Sequence, residues 1–191
     1  MNQRNLLEVD WSKIPAPVDD GGAAHLVGTT LPPISLRATD DTMVTLSALP
    51  GRIVVFAYPR TGEPGKIALV DDWDMIPGAR GCTPQTCAFR DLFADLKAAG
   101  ASHVFGLSTQ DNAYQTEMAS RLHLPFPVLS DEKLELTRAL RLPTMDVAGL
   151  ALIKRLTLII DAAHITHVFY PVFPPDKNAA EVLAWLKESP S

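Results

Sequence analysis

The chain has 191 residues, 47% hydrophobic and 20% charged, the composition of one globular domain long enough to bury a substantial core. Its formal charge of -5 is spread along the chain without a basic block, which argues against a grip on nucleic acid or anionic lipid and favours a small-molecule or protein partner. The first residues lack a basic, apolar leader and no window approaches the ~18 apolar residues of a membrane span, so the expectation is a cytoplasmic protein.

Residues 1–30 mix Pro, Gly and Ala without a period and read as an N-terminal extension, which sets the domain at 31–191. Residues 31–51 alternate short apolar runs with Asp-Asp and Pro-Gly turn signals, predicting a β-hairpin. "RIVVFAY" (52–58) is the β-branched and aromatic run of a strand buried on both faces, and it stops at Pro59, which cannot donate to a ladder. A loop rich in Gly, Pro and Asp leads to a helix. There Thr83 reads as the N-cap, Pro84 as the first helical residue, Phe89, Leu92, Phe93 and Leu96 as one apolar face, and Gly100 as the stop. Strand and helix then alternate: strand 103–108, helix 112–123, strand 126–131, helix 132–142. Strands 156–161 and 164–171 follow as a hairpin, and a closing amphipathic helix spans 178–189 with Val182, Leu183 and Leu186 inward. The class is α/β, a central mixed sheet flanked by helices.

Both cysteines lie in "RGCTPQTCAFRD" (80–91), five positions apart. In a reducing compartment two cysteines are seldom a structural staple, which leaves redox chemistry, a metal or plain burial. Cys82 sits where a loop meets a helix N-terminus, whose unpaired amides and dipole favour an anion, and Arg80 acts in the same direction if it points inward. Cys87 lies a turn further in, beside Ala88 and Phe89, where a thiol is favoured. Two Cα atoms five residues apart on one helix are roughly 8.6 Å apart, beyond the ~4.4–6.8 Å of a disulfide, so bonding requires the first turn to unwind.

"GCTPQTCAFRD" resembles the active-site segment of the peroxiredoxins, in particular their bacterioferritin-comigratory or Q-type branch. Further segments match: "VFAYPR" its strand entering the site, "VFGLSTQD" its next strand, "LPFPVLSDEKLELTRAL" its Phe-Pro-Leu-x-Ser-Asp region and "RLTLIID" its arginine-led strand. The resemblance covers roughly residues 31–187. It implies a thioredoxin-like fold and thiol-dependent reduction of hydrogen peroxide or organic hydroperoxides, with no metal and no cofactor. It implies Cys82 as the peroxidatic cysteine and Cys87 as the resolving cysteine of an intramolecular disulfide. Arg155 becomes the arginine that holds thiolate and peroxide, and thioredoxin or a similar dithiol the reductant, for a monomer or homodimer.

One departure from that family stands out. It places Pro, a hydroxyl residue and Cys as Pro-x-x-x-Thr/Ser-x-x-Cys, whereas the positions seven and three before Cys82 are Met75 and Ala79. Pro59 and Thr61, in "YPRTGEPG", are the substitutes, although Glu63 occupies the hydroxyl register by alignment. Aligning Gly65 with Gly81 implies an insertion of 81 minus 65, or 16 residues, at about 66–81. It either loops away from the pocket or lies over it.

Other readings stand beside these. Cys-x4-Cys lacks the second ligand pair of a zinc site, and His164 and His167, three apart in a strand, face opposite sides. Asp71 to Asp74 read as a solvated acidic turn rather than a hard-cation site, and Trp73, Met75 and Ile76 as packing of the insertion on its own domain, a lid or a dimer contact. Arg90 and Asp91 read as a solvated or capping pair. A thiol-disulfide oxidoreductase is disfavoured by the missing Cys-x-x-Cys, and a redox-sensing or interaction module with a slow thiol is the non-enzymatic alternative.

Overall fold

The computed structural model describes residues 9–189. A hairpin of β1 (Ser35–Ala38) and β2 (Met43–Thr45) precedes β3 (Arg52–Ala57), the long loop, α1 (Cys82–Asp91) and α2 (Phe93–Ala98). Next come β4 (Ala101–Ser108), α3 (Asn112–Arg121), β5 (Val128–Ser130) and α4 (Glu135–Leu140). A small hairpin of β6 (Thr144–Val147) and β7 (Leu150–Ile153) leads to β8 (Leu156–Asp161), β9 (His164–Phe169) and α5 (Asn178–Glu188). The main sheet has the order β2-β1-β5-β4-β3-β8-β9. Its centre is parallel (β5, β4, β3), and β1 and β8 join antiparallel on either side. This is the α/β mixed sheet that the pattern predicts.

Strand β3 shows why the sheet forms where it does. All six of its residues are buried, and alternate ones feed opposite cores. Ile53, Val55 and Ala57 join Leu26, Leu36, Leu136 and Leu140 on one face. Val54, Phe56 and then Tyr58 join Phe89, Val182 and Leu186 under α1 and α5 on the other. Phe56 stacks on Phe89 with centroids 4.1 Å apart, which fixes α1 above the strand. Burying each such side chain stabilises the fold by roughly 1.5–3 kcal/mol, and Phe89→Ala would loosen α1 by about 3–5 kcal/mol.

Several boundaries differ from the sequence reading. Helix α1 begins at Cys82 with Gly81 as its N-cap, and the Gln85 amide donates to the Gly81 carbonyl at 3.0 Å. Thr83 is therefore inside the helix, and Pro84 sits at its third position, where the missing N–H has no intrahelical partner to lose. Gly81 is needed there. Its φ is 103°, and a Cβ would come within 2.6 Å of the Trp11 ring and 2.7 Å of Pro175. Leu92 interrupts the long helix, so Phe89 and Leu96 ride on separate pieces. Strand β5 and helix α4 are shorter than read, because Asp131 turns the chain between them and caps α4, accepting from the amides of Leu136 and Thr137.

The β6–β7 hairpin is absent from the sequence reading. Its two-residue turn, Ala148-Gly149, has positive φ at both positions (52° and 77°), the geometry a tight hairpin demands. The hairpin receives part of the long loop that follows β3. Trp73, buried in a short 3-10 turn, packs with Ala79 against Val147 and Leu152 to make a third, separate core. Packing of Trp73 on its own domain is thus the reading that holds. Residues 9–30 also pack inward: Ala23 and Leu26 are buried in the main core, and Gly28 and Thr29 exchange backbone hydrogen bonds with Ile165 beside β9. Among the described residues no helix is long and apolar enough to cross a membrane.

Candidate active site

Helix α1 and strand β8 build the site between them. Cys82, at the first helical position and 3% exposed, lies in the core beneath α1. Arg155 stands one residue before β8, and the pairing of β8 with β3 carries its guanidinium to the N-terminus of α1. Its Nη2 donates to Cys82 Sγ at 3.2 Å and to the carbonyls of Gly78, Ala79 and Arg80 at 3.2, 3.2 and 3.1 Å. Its Nη1 donates to Gln85 Oε1 at 2.5 Å. Arg155 is only 2% exposed, and a buried guanidinium is costly unless its hydrogen bonds are met and its charge balanced. Of those acceptors, the sulfur alone can take on a full negative charge. As a thiol, Cys82 Sγ also donates to the Ala79 carbonyl at 3.5 Å.

Cys87 occupies the same helix five residues on, 8% exposed in the apolar cluster with Phe89, and both thiols are free. Burial pushes the Cys87 thiol up, with Arg90 opposing and Asp91 adding to the rise. Two residues so spaced on an intact helix stand roughly 8.6 Å apart at Cα, so a bond between them requires local unwinding of α1.

The remaining sequence candidates divide. Pro59 is buried directly after Tyr58 at the end of β3. Burial raises the Tyr58 phenol far above its ordinary range, Ser108 opposes this, and the nearby Cys82 sulfur adds to it. Thr61 is buried too, but its amide and hydroxyl both donate to Gln110 Oε1, at 2.9 and 3.1 Å, and among the described residues no hydrogen bond joins it to Cys82. The position three before the cysteine is Ala79, whose carbonyl rather than a hydroxyl meets the sulfur. Arg80 pairs with Asp74 at 3.7 Å, while the guanidinium of Arg155 is hydrogen-bonded to Cys82. Arg90 bonds Asp91 and the Leu122 carbonyl, the capping network expected of it. His164 meets Thr30 and His167 stacks on Trp185, two different surroundings, and no cluster of three metal-ligating groups occurs among the described residues.

Sequence reasoning missed the support behind Arg155. Gln85, fully buried, passes its other end to Asn178: Gln85 Nε2 donates to Asn178 Oδ1 at 3.0 Å, and Thr157 Oγ1 donates to the same oxygen at 2.6 Å. The signal for Gln85 was available, an amide one turn after Cys82 on the inner face of a helix. Asn178 gave none, since it reads simply as a helix start.

The chain is similar to known proteins over most of its length. The redoxin family profile matches residues 26–183. Peroxiredoxin Q of Sedum lineare, a chloroplastic protein, is 32% identical over 162 residues, which span 84% of this chain and 77% of that one. The chain belongs to the peroxiredoxin family, in its Q branch. Chloroplastic peroxiredoxin Q of japonica rice is 34% identical over 84% of this peroxiredoxin, which spans 66% of the rice protein's length. Among solved structures, peroxidoxin BcpB of Mycobacterium tuberculosis superposes with a TM-score of 0.68 at 27% identity, over 86% of this chain and 98% of that one. Peroxiredoxin Q of Xanthomonas campestris shares the fold, with a TM-score of 0.65 at 21% identity over 92% and 98% of the two chains. The fold is thus thioredoxin-like, as expected.

Proposed function

We propose that the chain is a thiol-dependent peroxidase that reduces hydrogen peroxide or organic hydroperoxides, with Cys82 as nucleophile, Cys87 as resolving thiol and Arg155 as the electrostatic partner of both sulfur and peroxide. One observation carries this reading: a buried guanidinium donates to the sulfur of a cysteine at a helix start, with a second cysteine in the same helix. The thiolate of Cys82 attacks the distal oxygen of ROOH. An S–O bond forms, the O–O bond breaks, and the alkoxide leaves to be protonated. Positive charge fixed at Arg155 and the helix N-terminus stabilises the negative charge spread over sulfur and the departing oxygen. The resulting sulfenic acid condenses with the Cys87 thiol, releasing water and forming the disulfide once the first turn of α1 has opened. A thioredoxin-like dithiol then restores both thiols. That cycle needs a reducing compartment, and the cytoplasm is the one proposed.

The test is rapid mixing of reduced protein with stoichiometric hydrogen peroxide, followed by mass analysis of the product. Wild type is expected to give a Cys82–Cys87 disulfide, Cys87→Ser to stop at the sulfenic acid after one turnover, and Cys82→Ser to consume no peroxide. Oxidation of wild type no faster than a free thiol would instead support a sensing module.

A further inference from the structure

We infer that Asn178 is a positioning residue for Arg155, acting by holding the Gln85 amide in one of its two orientations. A glutamine amide presents oxygen on one side and NH2 on the other, and the two ends exchange on a half-turn of the terminal torsion. Only one orientation serves this site, because Arg155 has donors alone and requires the oxygen. Gln85 Oε1 does face Arg155 Nη1 at 2.5 Å, and its Nε2 faces Asn178 Oδ1 at 3.0 Å. The orientation is therefore dictated from the far end, by which atom Asn178 presents.

Asn178 is locked in turn. Thr157 Oγ1 donates to the same Oδ1 at 2.6 Å, so that oxygen gathers two donors, and the Asn178 Nδ2 finds no acceptor among the described residues. A buried amide hydrogen left without a partner is normally selected against, and its retention fits a residue kept for its oxygen. Gln85, Asn178 and Thr157 are each fully buried, so no solvent stands in for a lost partner. The chain runs from β8 (Thr157) to α5 (Asn178) to α1 (Gln85) and back to the arginine beside β8, tying the orientation of the guanidinium to the packing of three elements. With Asn178 unable to accept, Gln85 is free to turn its NH2 toward Arg155, donor against donor, and Nη2 loses its fixed approach to Cys82.

The proposal rests on the peroxidase reading only for its rate assay, so a second readout is used that needs no peroxide. In a Cys87→Ser background, the rate of Cys82 oxidation by stoichiometric hydrogen peroxide and the rate of Cys82 alkylation by iodoacetamide are measured at one pH. Asn178→Leu is expected to slow both about fivefold or more. Gln85→Glu supplies a side chain that offers Arg155 an oxygen in either orientation. In that background Asn178→Leu is expected to change each rate by less than about twofold. Asn178→Ala carries the same comparison should leucine prevent folding. An equal loss in both backgrounds, or no loss in either, overturns the proposal, the first result marking Asn178 as a packing residue only. Coupled alkylation rates in a protein that ignores peroxide would sustain the positioning role while refuting the peroxidase.

Discussion

Replacing Arg155 by leucine tests the centre of the site. The side chain makes five hydrogen bonds, one to Cys82 Sγ, three to the carbonyls of Gly78, Ala79 and Arg80 and one to Gln85 Oε1. A hydrogen bond to a charged group contributes roughly 1.5–3 kcal/mol, and if the bond to sulfur is fully felt in the transition state its loss slows peroxide attack by roughly 10- to 150-fold at 1.36 kcal/mol per decade. Loss of the other four hydrogen bonds acts on stability instead. Their acceptors sit at a buried site, and leaving even one unsatisfied costs about 1–3 kcal/mol. The rate must therefore be normalised to folded protein, by quenching the reaction at set times, weighing the sulfenic acid by mass in a Cys87→Ser background and checking the fold by circular dichroism. A folded Arg155→Leu protein that is slower by less than threefold would refute the assignment of the guanidinium to the transition state.

Gly81→Ala combines a positive φ, costing about 1–2 kcal/mol, with contacts of 2.6 and 2.7 Å to Trp11 and Pro175. Forced overpacking adds about 1–3 kcal/mol, so the thermal midpoint should fall by roughly 5–15 °C; a shift within 2 °C would contradict the close approach. Trp73→Ala should cost about 3–5 kcal/mol if the third core melts together with the domain, and an unchanged midpoint would show that the insertion packs as an independent unit. Burial raises the Cys87 thiol, so folding favours its protonated form: that contribution is intact below about pH 8.5, the ordinary value of a free thiol, and is lost as pH climbs through the raised value. Comparing denaturation at pH 7 and pH 9.5 for wild type and Cys87→Ala reads this directly. The loss between the two should be larger for wild type, and equal losses would argue that Cys87 titrates as a free thiol.

Much of the frame was legible because its signals are local. The 52–58 run is apolar on both faces, and only a central strand uses such a run, while Gly81-Cys82-Thr83 marks a loop entering a helix. Around the site, the contacts that the reading did not foresee are remote in sequence. Gly81 rather than Thr83 caps α1, and Trp11 and Pro175, from distant segments, leave no room there for a Cβ. Thr61 gives both its donors to Gln110, 49 positions along, a partner that no local pattern shows. The link from Gln85 to Asn178 spans 93 positions and involves two neutral amides, which no spacing rule picks out. The β6–β7 hairpin was a local miss: Ala148-Gly149 is a recognisable two-residue turn, hidden by short strands whose outer residues are exposed.

Trp11 does more than crowd a glycine. Its ring meets Phe173 edge-on at 5.9 Å and lies against the residue that caps the helix bearing Cys82. The other two indoles report elsewhere, Trp73 from the insertion's core and Trp185 from its stack on His167. If the first turn of α1 opens as the proposed cycle requires, the backbone at Gly81 is expected to withdraw from the Trp11 ring and admit water beside it. The chain thus carries an optical label at the point that must move. Emission that shifts on oxidation and falls silent in Trp11→Phe would time the opening of the helix separately from the chemistry at sulfur.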